Sequence, residues 1–225
     1  MGKIISFGEY PQTAKASWVT VSAVKDARGY YKGSDGYYYA RTDSGAYFKV
    51  EPIKWQVLSE KNGEALLLSE RVLDSETFAR YSNNYETSVV RSFLNKEFFD
   101  AAFTASEKGR VLVTNVDNSA ESTGEVPCCY ACKNTSDRVF LLSVKEATSP
   151  AYGFPASDGM CAERRREPTD YASEMGAYSA WILRSPDAVY GERIRYVHRS
   201  GNISVYRSHG GFDGYGILPA LRIRL

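Results

Sequence analysis

Two hydrophobic periods alternate along the chain. Residues 50–58 (VEPIKWQVL) put Ile53, Trp55 and Val57 on one side at every second position, and residues 65–69 follow as a short continuous apolar run. Between them, Asn62-Gly63 is the dipeptide that a tight two-residue turn favours, because both of its positions need left-handed backbone. A β-hairpin is predicted here. Before it, residues 3–12 read as a short strand ending at Tyr10-Pro11. Residues 18–50 show a strand–turn–strand pattern, with Tyr30-Tyr31 and Tyr37-Tyr38-Tyr39 flanking Gly33-Ser34-Asp35-Gly36. The period then changes. Residues 88–103 space Val90, Phe93, Leu94, Phe98 and Ala101 or Ala102 as a helix does, with one break near Asn95.

Ser and Thr three residues ahead of Glu satisfy backbone donors at a helix start, so Thr104/Glu107 and Ser143/Glu146 predict two further short helices. Residues 169–178 are expected to form another. Residues 117–132 and 153–168 lack periodicity and read as loops, the second carrying Arg164-Arg165-Arg166 as a solvated cluster, with polyanion binding as the lesser alternative. Residues 139–142 read as a buried strand. Residues 181–184 form an apolar-basic strand stopped by Ser185-Pro186, and 217–225 another. Between these two lie the alternating segments 193–199 and 203–207, joined by Ser200-Gly201-Asn202.

Composition bounds the reading. At 225 residues and 43% hydrophobic, the chain can bury a real core, and no tandem repeat or linker divides it, so one domain spanning 1–225 is expected. Lys and Arg total 28 against 27 Asp and Glu, a balance that argues against nucleic acid as a partner. No apolar run approaches the ~20 residues of a membrane span. The N-terminus lacks a basic region followed by an apolar core. The expected location is therefore extracellular or cell-surface if a signal peptide has been removed, and cytoplasmic otherwise. Tyr is abundant, at 17 residues, and offers a rigid apolar face with a hydroxyl, as binding surfaces favour.

Several stretches occur in a recognisable order: FGEYPQ from Phe7, PIKWQVL from Pro52, SVVRSFLN from Ser88, AFT from Ala102, DRVFLLS from Asp137, WILRSP from Trp181 and LPAL from Leu218. Together they resemble a bacterial family of domains of unknown function, common in gut-dwelling Gram-positive bacteria. Its signatures are FGxYPQ, PIxWxVL, SxxRxxLN, FLLS, WxLRSP and RPAL. This chain has Leu218 where the last signature usually has Arg, and Phe93 where the helical one often has Trp. The resemblance implies an α+β, C-type-lectin-like fold: antiparallel sheets, short helices, long loops, and paired N- and C-terminal strands. It places any ligand face in the segment before the last strand, residues 187–216, although fold analogy alone does not establish function.

Within and around that segment, Tyr190, Arg193, Arg195, Tyr196, His198, Tyr206, Arg207, His209, Phe212 and Tyr215 are the candidate ligand-binding residues. Arg, Tyr and His can stack on rings and donate hydrogen bonds to carboxylates. The competing reading is an ordinary hairpin with a solvated basic face. The glycine-rich run 210–216 lacks the spacing of a phosphate loop. Cys128, Cys129, Cys132 and Cys161 allow three readings: free thiols, at least one disulfide, or a Zn²⁺ site, the only cofactor in prospect. Catalytic patterns are poor. No GxSxG elbow accompanies His198 or His209, no cysteine follows Cys161 for a copper oxidase, and a carboxylate pair among Glu174, Asp187, Glu192 and Asp213 is unspecified by spacing. The sequence is therefore read as a non-enzymatic module recognising a glycan or a protein. A hydrolase or oxidase on the same scaffold is the alternative, and a structural or assembly domain a third.

Overall fold

A computed structural model describes residues 2–207 and 215–225. Its strands in chain order are β1 (Ile4–Ala14), β2 (Val21–Lys25), β3 (Tyr31–Gly33), β4 (Tyr38–Arg41), β5 (Tyr47–Lys61), β6 (Glu64–Ser69), β7 (Asp74–Ser75), β8 (Val111–Leu112), β9 (Thr114–Val116), β10 (Thr135–Asp137), β11 (Val139–Phe140), β12 (Trp181–Pro186), β13 (Arg193–Val197), β14 (Ile203–Arg207), β15 (Gly216–Ile217) and β16 (Ala220–Arg224). They form a nine-stranded sheet, a five-stranded sheet ordered β14-β13-β12-β15-β7, and the separate pair β9–β10. Pairing is antiparallel except between β12 and β15. Five short α-helices, α1 (Val89–Phe93), α2 (Phe99–Ala102), α3 (Ala105–Lys108), α4 (Val144–Ala147) and α5 (Asp170–Glu174), complete a mostly antiparallel α+β arrangement.

β5 is the spine. β1 runs along it from Phe48 to Gln56, while β4 and β6 pair with its two halves. Asn62 and Gly63 at the β5–β6 turn have φ of 55° and 75°, the left-handed pair the dipeptide predicts. Leu66, Leu67 and Leu68 are all fully buried, so this strand is covered on both faces, and each contributes roughly 1.5–3 kcal/mol of hydrophobic stabilisation.

The quoted stretches interlock. Gly8 has φ 71°, and a Cβ there would stand 2.6 Å from the Phe103 ring, so a side chain is excluded sterically as well as conformationally. Its N–H donates to Glu107 Oε1, and Trp55 Nε1 donates to the carbonyl of Phe7 at 2.7 Å. The amide of Gln12 donates to the carbonyls of Glu51 and Pro52. Between α1 and α2 the helix widens into a π turn, Leu94–Phe98, the break expected near Asn95. Asn95 donates to the carbonyls of Arg91 and Val139 and accepts from the N–H groups of Arg138 and Val139, tying the helix to β11. Both predicted capping boxes form.

The expected pairing of the N- and C-terminal strands is corrected. β1 pairs with β5, whereas β16 pairs with β6, β8 and β11. β6 takes one edge of β16 and β11 with β8 the other, so no edge remains for β1. Residues 70–73 and 218–219 carry the chain between the two large sheets. Leu218 is fully buried in the second crossing, an environment that suits Leu better than the Arg of the signature.

The basic cluster is also corrected. Arg164 is fully buried, not solvated. Its Nε donates to the carbonyl of Gly201 at 2.7 Å, and its terminal nitrogens to those of Ala147, Pro155 and Gly159. Trp181 Nε1 donates in turn to the Arg164 carbonyl at 3.0 Å. The stretch 117–132, read as a loop, holds buried Asn118, Ser122, Thr123 and Cys128 and is not a purely solvent-exposed segment.

Candidate functional site

β13 and β14 pair from Arg193↔Arg207 to Val197↔Ile203. Alternation therefore sets Arg193, Arg195 and Val197 on one side and Ile194 and Tyr196 on the other. The connection from β12 to β13, residues 187–192, ties itself down locally. Asp187 Oδ1 accepts from the N–H groups of Val189 and Tyr190 at 2.9 and 2.7 Å, the local bonding that makes Asp a turn residue. Asn83, buried, donates its N–H to the Gly191 carbonyl and its side-chain amide to that of Tyr190. Glu125 accepts from Ala188 N–H and pairs with Arg195. Tyr130 packs against Gly191, where a Cβ would stand 2.8 Å from its ring.

This underpinning presents Tyr190. Its side chain remains 45% exposed, with the Arg193 guanidinium 3.6 Å from the ring centroid. Val189, on the same loop, is also exposed. The result is an aromatic ring with a guanidinium against it, on a loop tied down by Asn83, Asp187 and Glu125.

The other candidates do not join it. Arg195 is buried against Glu125 rather than available to a ligand. Tyr196 lies on the opposite side of the strand, its ring edge-on to Tyr215 at 5.0 Å. His198 caps the hairpin turn, its Nδ1 2.7 Å from Ser200 Oγ, at the end held by Arg164. Tyr206 and Arg207 are placed by backbone pairing with Ile194 and Arg193. His209 and Phe212 lie outside the described residues. Sequence reading missed Asn83, Glu125 and Tyr130; the run Ser82-Asn83-Asn84 carried a turn signal, but nothing in it pointed to residue 190.

The cysteines are not gathered. Cys161 Sγ faces the Gly201 carbonyl, Cys129 Sγ the Ala188 carbonyl, and Cys128 is buried; all four are free thiols. Burial raises the Cys132 pKa. Among the described residues no three His, Cys, Asp or Glu side chains are grouped to hold a metal ion. Of the candidate carboxylates, Glu174 accepts from Ser44 and Asp187 is consumed by its own loop, while Asp213 lies outside the described residues. No helix among the described residues is long and apolar enough to cross a membrane.

A cleft of about 990 Å³ lies between the 27–30 turn, β4 and the end of α2. Arg28 fills part of it, 5.2 and 5.0 Å from the Tyr30 and Tyr38 ring centroids and paired with Glu9.

A family model described as Domain of unknown function (DUF6273) matches residues 62–225, more than half of the chain. The chain belongs to this family. The Tyr190 face, its supports Asn83, Glu125 and Tyr130, and the Arg164 clamp all fall inside the DUF6273 segment, whereas Arg28 with its two tyrosines precedes it. No curated protein and no solved structure matched the chain.

Proposed function

We propose that this DUF6273 chain is a non-enzymatic binding module on a C-type-lectin-like scaffold, recognising a glycan or a protein at a bacterial surface through the Tyr190 face. The observation that carries the reading is a half-exposed ring, stacked by Arg193, on a loop that Asn83 and Asp187 tie down before any ligand arrives. Preorganisation of this kind lowers the entropy lost on binding, and a rigid aromatic with an adjacent guanidinium suits sugar rings and their hydroxyls.

A glycan array probed with the wild-type chain, Tyr190→Ala and Arg193→Ala tests it. Binding is expected to fall by about tenfold or more in each variant. Unchanged binding in both would remove the face from consideration. The exposed Val189 on the same loop favours the protein-ligand form of the same reading, which predicts an array without hits and a protein partner lost in the same variants.

A further inference from the structure

A second cleft, of about 820 Å³, opens between β1 with β5 and the loops at 151–153 and 162–166. Ile4 and Val57 give it an apolar wall, Tyr152 a ring, and Arg165 and Arg166 its cations. Other arginines of this protein give the comparison, although Arg193 and Arg195 also keep a buried Nε without a partner. Arg91, Arg184 and Arg195 each pair with a carboxylate, of Asp137, Glu146 and Glu125 respectively. Arg164 donates to four carbonyls.

Arg166 has neither solution in full. It donates to the carbonyls of Glu163 and Arg165 and to Gln56 Oε1, but its buried Nε has no partner. Arg165 makes one long bond, 3.4 Å, to the Ser200 carbonyl. Among the described residues neither arginine has a carboxylate within ion-pair distance. Burial lowers the Arg166 pKa, against smaller opposing effects of Glu70 and Cys161, so the cation is desolvated without a contact counter-charge. Such a group gains from an oxyanion, which a guanidinium receives in two-pronged geometry.

We propose that this cleft binds a small ligand by a single carboxylate seated on Arg165 and Arg166. Glu70 and Glu163 also line the cleft and bring its formal charge to zero, which leaves no net positive charge to hold multiply charged phosphates or polyanions. It admits one carboxylate flanked by hydroxyl or ammonium donors that the two glutamates can accept. A sugar acid and a peptide C-terminus share that chemistry. The site is separate from the Tyr190 face and does not depend on it.

The test is a titration of the isotope-labelled full chain, followed by amide resonances, with sodium glucuronate, glycylglycine and glucose at constant ionic strength. Saturable shifts at Gln56, Tyr152 and Arg166 are expected with one carboxylate probe and not with glucose; the probe that saturates separates sugar acid from peptide. Arg165→Ala, at an exposed position, should weaken binding about tenfold without changing the fold. Arg166→Gln should abolish it. Absence of saturation with both carboxylates, an equal response to glucose, or unchanged affinity in Arg165→Ala overturns the proposal.

Discussion

Arg164 and Gly201 meet across 2.7 Å, guanidinium Nε to carbonyl oxygen, with the arginine fully buried. The contact joins a loop without regular structure to the turn of the β13–β14 hairpin, and Trp181 locks the arginine from its own backbone. A charged group so deep, held by carbonyls alone, is tolerable because four of its five N–H donors have a carbonyl partner.

Arg164→Met is expected to destabilise the chain by on the order of 4 kcal/mol, because it strands several buried carbonyls that water cannot reach. Arg164→Lys should recover little, since an ammonium cannot span the same fan of acceptors. Denaturant unfolding of the three proteins checks both statements.

Gly201→Ala should be nearly as damaging. Gly201 has φ 85°, and an added Cβ would collide with the Cys161 carbonyl, which is backbone and cannot swing aside. A loss of about 2–4 kcal/mol is expected from conformational strain and displacement together. Gly63→Ala, also at positive φ but with open space around it, should lose about 1 kcal/mol. Equal losses in the two variants would refute the steric account.

Asp74 gives a pH signature. It is buried, accepts from Tyr10 Oη at 2.5 Å and from Ser75 N–H, and has no cation beside it. Burial raises its pKa to about 6, although both hydrogen bonds pull the other way. A carboxyl whose pKa rises on folding holds its proton more firmly in the folded state. Its contribution to stability is therefore greatest below about pH 4 and declines as pH rises towards 6. Asp74→Asn should raise stability at pH 8, by up to roughly 3 kcal/mol, and give no advantage at pH 4. Melting temperatures of the two proteins between pH 4 and 8 provide the comparison; a difference independent of pH would exclude ionisation as its cause.

Residues 62–225, the DUF6273 match, should not fold when produced alone. Cutting at 62 removes β5 from the edge of β6 and takes Ile53 and Trp55, both fully buried, out of the core. Circular dichroism and gel filtration of that segment are expected to show an unfolded or aggregated chain. A cooperative melt would show instead that residues 1–61 are dispensable.

Tyr190→Ala should leave the unfolding midpoint within about 0.5 kcal/mol of wild type, since its half-exposed side chain stands on a loop tied by other residues, and Arg193→Ala, at the first residue of β13, should cost about 1 kcal/mol or less. A loss of binding without a loss of stability separates recognition from support.

Local structure was legible wherever side chain and backbone act over a few residues. Asn62-Gly63, Thr104 with Glu107, and Ser143 with Glu146 each behave as their spacing requires. Alternation in 193–197 was read in the right phase, but phase does not reveal depth. Arg195 is hidden by Glu125, some seventy residues earlier in the chain, as Arg164 is hidden by carbonyls from four separate places. Charge in a sequence marks a group that must be solvated, and these two are solvated by the protein. The pairing of β1 was equally out of reach, because strand edges are allotted by the whole sheet rather than by either strand.

The three-way pairing of β16 sets an order of events during synthesis. β6, β8 and β11 lie far apart in the chain, and each waits for residues 220–224 to complete its ladder. Until the ribosome has delivered that stretch, apolar strands made much earlier stand with bare edges. The growing chain is then a natural client for chaperones, and a chain cut before residue 220 would lack the strand that joins β6 to β8 and β11.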